Sequence, residues 1–309
     1  MASPTIRQMR YFDALAEVLH FGKAARRLNI SQPALSAQIQ QMEAFFGSPL
    51  LERRASGVML TAEGRAVAQR VRHILADISD LEALAARSDE VLGGRLKIGF
   101  IASVAPYLLP ALLPELRTRH ARLKIEIRES ITATLVDALD GGELDCIVLA
   151  LPFRRPGIEV IDLFDDPFHL AVPEREADAF PSPVRLDLID KERLILLEEG
   201  HCLRDQALQI CGIIEPGRLA ALGATSLATI LRMVAEGLGV TLVPEIAVAA
   251  ERLSGGIAIR PIAAPVPSRR LALAFRSTSG RRQDYEALAE TIRRVAEVDR
   301  EKQEQPAFR

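Results

Sequence analysis

The sequence predicts three parts in order: a small helical head, one long helix, and a larger α/β body. Three patterns carry that prediction. Apolar residues recur at helical spacing from Ile6 to Phe46. A seam at alternating spacings of four and three runs from Val67 to Ala85. After Gly93-Gly94, short alternating runs interleave with helical ones in βαβαβ order.

Composition narrows the class. A length of 309 residues suits two or three domains. No apolar run approaches the roughly 18 residues of a membrane span, and Met1 to Met9 lacks the basic-then-apolar pattern of a secretory signal. The 3 cysteines make no disulfide framework, so a reducing cytoplasm is expected, where a cysteine pair points to redox chemistry or metal binding. No Cys/His cluster has metal-ligand spacing, so neither metal nor cofactor is expected. The net charge of −2 hides an asymmetry: residues 1–72 hold ten Lys/Arg against five Asp/Glu, net +5, which leaves −7 on the rest. A basic head on an acidic body suits a polyanion that binds the head alone.

In the head, Ile6, Met9, Phe12, Leu15 and Ala16 define a first helix that Phe21-Gly22 should end. Lys23 to Leu28 reads as a short second helix whose Ala24 and Ala25 permit close packing, and Asn29-Ile30 as a turn. Ser31 caps a third helix with Pro33 in its first turn and Leu35, Ile39, Met42 and Phe46 on its inner stripe. Two helices joined by a tight turn form a helix-turn-helix. The third helix presents Gln32, Ser36, Ala37 and Gln40 outward, groups able to read base edges in a major groove. Arg53 and Arg54 follow in a Ser/Gly-containing loop that suits a phosphate-contacting wing. Any one of these residues is equally at home on a solvated face; the set points to double-stranded DNA. The DNA-contacting candidates are Lys23, Gln32, Pro33, Ser36, Ala37, Arg53 and Arg54.

Phe21, Ala24-Ala25, Leu28, Ser31 to Ser36, Gln38-Ile39, Glu43, Gly47, Leu50, Arg53 and Leu60-Thr61 together resemble the N-terminal signature of LysR-type transcriptional regulators. The resemblance covers about the first 65 residues; Leu51 and Glu63 depart from it, where phenylalanine and alanine are common. It implies an all-α winged helix-turn-helix at 1–60 and a linker helix at 61–92 that pairs two chains through Val67, Val71, Ile74, Ile78, Leu81 and Ala85. The helix is expected to run from Thr61 to about Ser88, and Gly93-Gly94 to act as a hinge.

The body opens with strands at Arg95–Phe100 and around Leu123, Ile125 and Ile127, with helices at Leu108–Arg117 and Leu135–Leu139, and an apolar run at Cys146–Leu151. That order predicts a mostly parallel sheet. Strands at Phe168–Val172, Leu194–Leu197, Val240–Val243 and Leu271–Phe275, with helices at Thr225–Gly237 and Gln283–Val298, complete it. The family resemblance implies two Rossmann-like subdomains (periplasmic-binding-protein-like) within 93–309: one at about 95–164 and 268–309, the other at about 165–267. Crossover strands would lie near Leu163–Asp166 and Pro261–Pro267. Open α/β sheets bind ligands at strand C-termini, which predicts a site near Phe100–Ser103, Ser130–Thr132, Ala150 and Gly200–Asp205.

That last stretch holds two of the 3 cysteines. Cys202 is flanked by His201, Arg204 and Asp205, and a helix opening just after it would favour the thiolate. If Leu203 to Ile210 is helical, Cys202 and Cys211 lie roughly 13 Å apart, beyond the ~7 Å that a disulfide tolerates. Bridging them would require melting the segment; otherwise they are inert core residues. Cys146, inside an apolar strand, reads as inert core, and His20, His73, His120 and His169 as structural or solvated.

The run Gly200-His201-Cys202-Leu203-Arg204-Asp205-Gln206-Ala207, with Cys211, resembles the OxyR hydrogen-peroxide sensors of the LysR family. The likeness extends to Val104–Pro110, Leu144-Asp145-Cys146, Ala224–Leu227 and Thr241–Pro244, and so spans the chain; Gly212-Ile213-Ile214 is less typical. It implies that Cys202 is the peroxidatic cysteine and Cys211 the resolving one. Ser103 (in place of the usual threonine), Thr132 and Arg276 would line the peroxide pocket, and His201 or a water would protonate the departing hydroxide. Implied partners are promoter DNA, hydrogen peroxide, further copies of the chain as dimer or tetramer, thiol reductants and RNA polymerase, with no membrane and no enzymatic turnover. Two other readings fit the sequence: a LysR-type regulator of a small organic effector with incidental cysteines, and a thiol peroxidase.

Overall fold

The computed structural model describes residues 3–54, 57–85, 91–213, 223–252 and 255–304. These fall into two compact units, Met1–Ala86 and, apart from the turn at Asp140–Glu143, the rest of the chain. Each is taken by itself.

In the first unit, α1 (Ile6–Val18) starts from a capping box: Gln8 N donates to Thr5 Oγ1 at 3.2 Å and Thr5 N to Gln8 Oε1 at 2.8 Å. Leu19 ends it in the left-handed conformation, φ 47°. The next helix, α2 (Phe21–Arg27), begins earlier than the pattern suggests, because His20 Nδ1 accepts from Lys23 N at 3.2 Å and caps it. Phe21 and Gly22 are therefore helical, and the break lies at Leu19. Ser31 caps α3 (Gln32–Phe46), which stops at Gly47, φ 70°. Phe12, Leu15, Ala24, Leu35, Ile39 and Met42 close the head's core. Phe46, expected on the inner stripe, is 41% exposed, since the helix ends before that turn reaches the core.

The expected wing loop is a β-hairpin: β1 (Leu51–Arg54) pairs antiparallel with β2 (Gly57–Leu60). Arg53 and Arg54 stand in β1, their side chains outside the described residues. Glu43 fixes the entry, accepting from Leu50 N at 2.8 Å and Leu51 N at 3.2 Å. Then α4 (Ala62–Ala85) begins behind Thr61, whose Oγ1 accepts from Gly64 N at 2.8 Å. Val71 packs into the head's core, whereas Ile74 and Leu81 are 41% and 66% exposed. The predicted seam thus divides: Val67 and Val71 serve the head, while Ile74 and Leu81 are exposed. Ser88 lies outside the described residues.

The body runs β3 (Arg95–Ile101), α5 (Ala105–Arg119), β4 (Lys124–Ser130), α6 (Thr132–Asp140), β5 (Cys146–Ala150), β6 (Ile158–Pro173), β7 (Leu196–Leu197), α7 (Cys202–Ile210), β8 (Gly223–Ala224), α8 (Leu227–Ala235), β9 (Thr241–Pro244), α9 (Glu245–Arg252), β10 (Ile257–Pro261), β11 (Ser268–Arg276) and α10 (Arg282–Glu304). Seven strands form one sheet in the order β10-β6-β11-β5-β3-β4, with β9 also on β6. Within this sheet, among the described residues, β4-β3-β5 are parallel, while β11 and β6 run against their neighbours. The mostly parallel prediction fails there because the crossover expected near Leu163–Asp166 and the strand expected at Phe168–Val172 are one long strand, β6, which pairs antiparallel with β11. Residues 158–167 of β6 pair with β11 and residues 168–173 with β9 and β10, so it passes from one core (Phe100, Val148, Phe275, Tyr285) to another (Phe168, Ile195, Ile230, Val243). The architecture is the expected one, a helix-turn-helix head with an α/β body.

One position tests the head's packing. A Cβ on Gly64 would stand 1.9 Å from the Leu50 carbonyl oxygen, a backbone atom that cannot swing away. Gly64→Ala should therefore destabilise the head by about 1–3 kcal/mol, read as a lowered first melting transition with the body's transition unmoved.

Candidate redox site

Gly200, at φ 91°, turns the chain so that His201 takes the N-cap position of α7 and Cys202 its first residue. The amides of a first helical turn lack intrahelical acceptors, and their dipoles favour negative charge. Two loops meet Cys202, at the carboxyl ends of β3 and β4. Ile101, Ala102, Ser103, Ser130, Ile131, Thr132, His201, Cys202 and Leu203 line a small cavity of about 10 Å³. A space of that order admits one water-sized molecule. Ala150, expected in the same place, does not line it.

Two hydroxyls reach this cavity. Thr132 Oγ1 is buried, approaches the sulfur closely enough to favour the thiolate, and makes no hydrogen bond of ordinary geometry. Ser103 is held from two sides: Arg269 Nη1 donates to its Oγ at 2.7 Å and Nη2 to its carbonyl at 3.1 Å. Loss of the threonine methyl therefore leaves this hydroxyl fixed rather than loose.

The electrostatics differ from the sequence reading. Burial pushes the Cys202 thiol up; Arg269 opposes this most, followed by the Thr132 hydroxyl, with Asp205 adding to the rise and the Leu203 amide countering it. Arg204, the expected cation, is engaged elsewhere, its Nη1 donating to Leu197 O at 2.9 Å. Arg276 is likewise remote: its Nη1 donates to Leu139 O at 2.7 Å and Leu144 O at 2.8 Å, tying β11 to the far end of α6. Seven residues of extended strand separate it from Arg269, roughly 23 Å, so the basic residue of this pocket is Arg269. The sequence carried a trace of it, an arginine in phase with the inward face of β11 between exposed Ser268 and Arg270. Asp166 completes the group, its Oδ2 accepting from Arg269 Nε at 2.9 Å.

Cys202 and Cys211 are both free, as is Cys146. Helix α7 spans Cys202 to Ile210, and Cys211 N donates to Ala207 O at 3.0 Å, so the two backbones stand about 13 Å apart. Cys202 packs on the first core and Cys211 within the second. Burial raises the Cys211 thiol, with Lys191 pulling the other way, and holds the Cys146 thiol well above its ordinary range. Gly212 and Ile213 follow in a turn; Ile214 lies outside the described residues. Of the other histidines, His20 caps α2 and His169 pairs with Glu245.

In the head, Lys23, Gln32, Pro33 and Ala37 are exposed and Ser36 half-buried, on α2 and the outer face of α3. Among the described residues no helix is long and apolar enough to cross a membrane, and no group of three or more His, Cys, Asp or Glu could hold a metal ion.

Residues 6–65 match the family model for the bacterial regulatory helix-turn-helix protein of the lysR family, and residues 89–297 match the LysR substrate binding domain. The chain is 39% identical over 288 residues to the DNA-binding transcriptional dual regulator OxyR of Escherichia coli strain K12, covering 93% of this chain and 94% of that one. A full-length OxyR variant from Pseudomonas aeruginosa is similar in structure, with TM-score 0.77 and 36% identity over 94% of this chain and 98% of that one. A hydrogen-peroxide-bound OxyR variant of Corynebacterium glutamicum matches with TM-score 0.66 and 32% identity, over 96% and 94% of the two chains. The chain belongs to the LysR family of bacterial helix-turn-helix regulators, on its OxyR branch.

Proposed function

We propose that this chain is a peroxide-sensing transcription regulator in which Cys202 is the reactive thiol and Cys211 its resolving partner. The observation that carries the reading is the water-sized cavity around Cys202, with the Ser103 and Thr132 hydroxyls in its wall. A space of this size suits the smallest oxidants, whereas an organic effector would need a far larger one at this position. The Cys202 thiolate attacks one peroxide oxygen, an S–O bond forms as the O–O bond breaks, and hydroxide leaves with a proton from His201 or water. Ser103, whose oxygen accepts from Arg269, keeps its own hydrogen to donate to the peroxide, and Thr132 is a second donor. The Cys211 thiolate then displaces hydroxide from the sulfenic acid, giving a disulfide and completing a two-electron oxidation. A cellular dithiol returns both to thiols.

Closing that bond requires α7 to unwind, because its length holds the sulfurs too far apart. Unwinding would repack contacts between copies of the body, and α4, through Ile74 and Leu81, would pass the change to paired heads as an altered spacing on DNA. In this reading the limits are those of a head at 1–60, a linker at 61–92 and a sensing body at 93–309, working as a dimer or tetramer with RNA polymerase as a further partner. Gln32, Pro33, Ser36 and Ala37 face base edges; Lys23, Arg53 and Arg54 serve the phosphates.

Three outcomes are expected. After a peroxide pulse, mass spectrometry should find a Cys202–Cys211 disulfide and footprinting a changed DNA contact; Cys202→Ser should abolish both, and a footprint change surviving that substitution would sink the reading. Because only the thiolate reacts and burial raises the Cys202 thiol, its rate with peroxide should climb about tenfold per pH unit from pH 7 past pH 8.5; a plateau by pH 7 contradicts this. Gln32→Ala should cost about 1–3 kcal/mol at cognate sites only, whereas Arg53→Ala should weaken all DNA and lower the salt slope by about one.

A further inference from the structure

The sensing reading uses Cys202, Cys211, Ser103, Thr132 and His201, but leaves several buried charged side chains without a role, Asp166 among them. Asp166 sits on β6 where that strand passes between the two cores, directly across from Arg269 in the β11 register. Both side chains are 1% exposed. Its Oδ2 accepts from Arg269 Nε at 2.9 Å and its Oδ1 from Ile246 N, in the first turn of α9, at 3.0 Å. Both oxygens are engaged, so the carboxylate is fixed at two points. A buried ion pair is a poor way to gain stability, since desolvating two charges offsets most of their attraction. Its value here lies in orientation.

We propose that Asp166 is a positioning residue of the peroxide site, fixing the guanidinium of Arg269 so that its two remaining nitrogens clamp Ser103 and its charge faces the Cys202 pocket. The geometry leaves Arg269 little choice. Nε goes to Asp166, Nη1 to Ser103 Oγ at 2.7 Å and Nη2 to Ser103 O at 3.1 Å, so the planar fork is held on all three nitrogens. An amide here leaves one acceptor oxygen for two donors, Arg269 Nε and Ile246 N, so the two-point anchor is lost and the fork is free to tilt. The Ser103 hydroxyl and the thiolate would then lose the same cation together. Asp166 lines none of the Cys202 cavity, so it acts through Arg269 and not on peroxide. The groups that act on Cys202 from the surrounding elements are Arg269 on β11, Thr132 on α6, and Asp205 and the Leu203 amide on α7. Asp166 is not among the charges that act on it most, so removing it should be felt mainly as lost orientation of Arg269.

The inference rests on Cys202 being the peroxide-reactive thiol, and its test separates the two ideas by using a different reagent. In the full-length reduced protein carrying Cys211→Ser and Cys146→Ser, the pH midpoint of Cys202 alkylation by iodoacetamide reports the thiolate directly. If wild-type Cys202 alkylates but ignores peroxide, the sensing reading fails while the Asp166 test still runs. Asp166→Asn should raise the alkylation midpoint by about one pH unit, roughly a tenfold loss of thiolate at neutral pH, and slow the peroxide reaction in proportion. In an Arg269→Gln background the same substitution should leave the midpoint where Arg269→Gln alone puts it. An Asp166→Asn protein that is folded yet keeps the wild-type midpoint overturns the proposal, as does a full shift persisting without Arg269. Should Asp166→Asn alone not fold, Asp166→Glu, which keeps the charge but displaces the acceptor by one methylene, decides: a raised midpoint that vanishes in the Arg269→Gln background supports it, and the wild-type midpoint overturns it.

Discussion

The nine-residue helix α7 holds Cys202 against one hydrophobic core and Cys211 inside another, and the proposed chemistry depends on that separation. The local sequence favours the helix in the reduced state. Gly200 supplies the left-handed turn into it, and Leu203 and Ala207 bury on its inner face. Burying one leucine contributes about 2 kcal/mol, and each helical hydrogen bond adds roughly 1 kcal/mol net. The reduced arrangement is thus held by a few kcal/mol, a gap that formation of a covalent S–S bond can reverse. A shorter helix would let the thiols meet without rearrangement, and a longer one would keep them apart.

Around that helix, the pocket places modest means close together. Burial makes Cys202 a less acidic thiol than its neighbours in sequence suggest, and the compensating cation comes from β11, sixty-odd residues away in sequence. Arg269 joins three elements at once: Asp166 on β6, Ser103 after β3, and the pocket at the start of α7. The same residue that opposes the rise of the Cys202 thiol also fixes the Ser103 hydroxyl, which in the proposed chemistry meets the peroxide. Reactivity is in this way tied to the crossing of β6 and β11 between the two cores of the body.

Much of this was legible in the chain. Ser31 and Gly47 bracket the third helix, Gly200 to Asp205 marks the redox stretch, and the hydroxyls of Ser103 and Thr132 were anticipated at the strand ends where they stand. What escaped has physical reasons. His20 is a cap because its ring reaches Lys23 N, an option that helix spacing cannot express. The crossover near Leu163–Asp166 and the strand at Phe168–Val172 were expected, but not that they join with Ile158–Asp162 into one strand, whose acidic residues are answered by cross-strand partners such as Arg270 for Asp165 and Arg269 for Asp166. Arg276 came from the family resemblance, at the end of a late strand; β11 runs antiparallel to β5, so that end lies away from the site and Arg269, at its start, lies beside it. Long-range pairing decides these points, and one sequence does not contain it.

The claim that α7 is the moving part can be examined directly by hydrogen exchange across Leu203–Ile210 in the full-length protein, before and after a stoichiometric peroxide pulse. Protection of these amides should be high in the reduced protein and collapse on oxidation. In Cys211→Ser it should persist, because the sulfenic acid alone leaves the helix in place. A protein that forms the Cys202–Cys211 disulfide while these amides stay protected contradicts the switch.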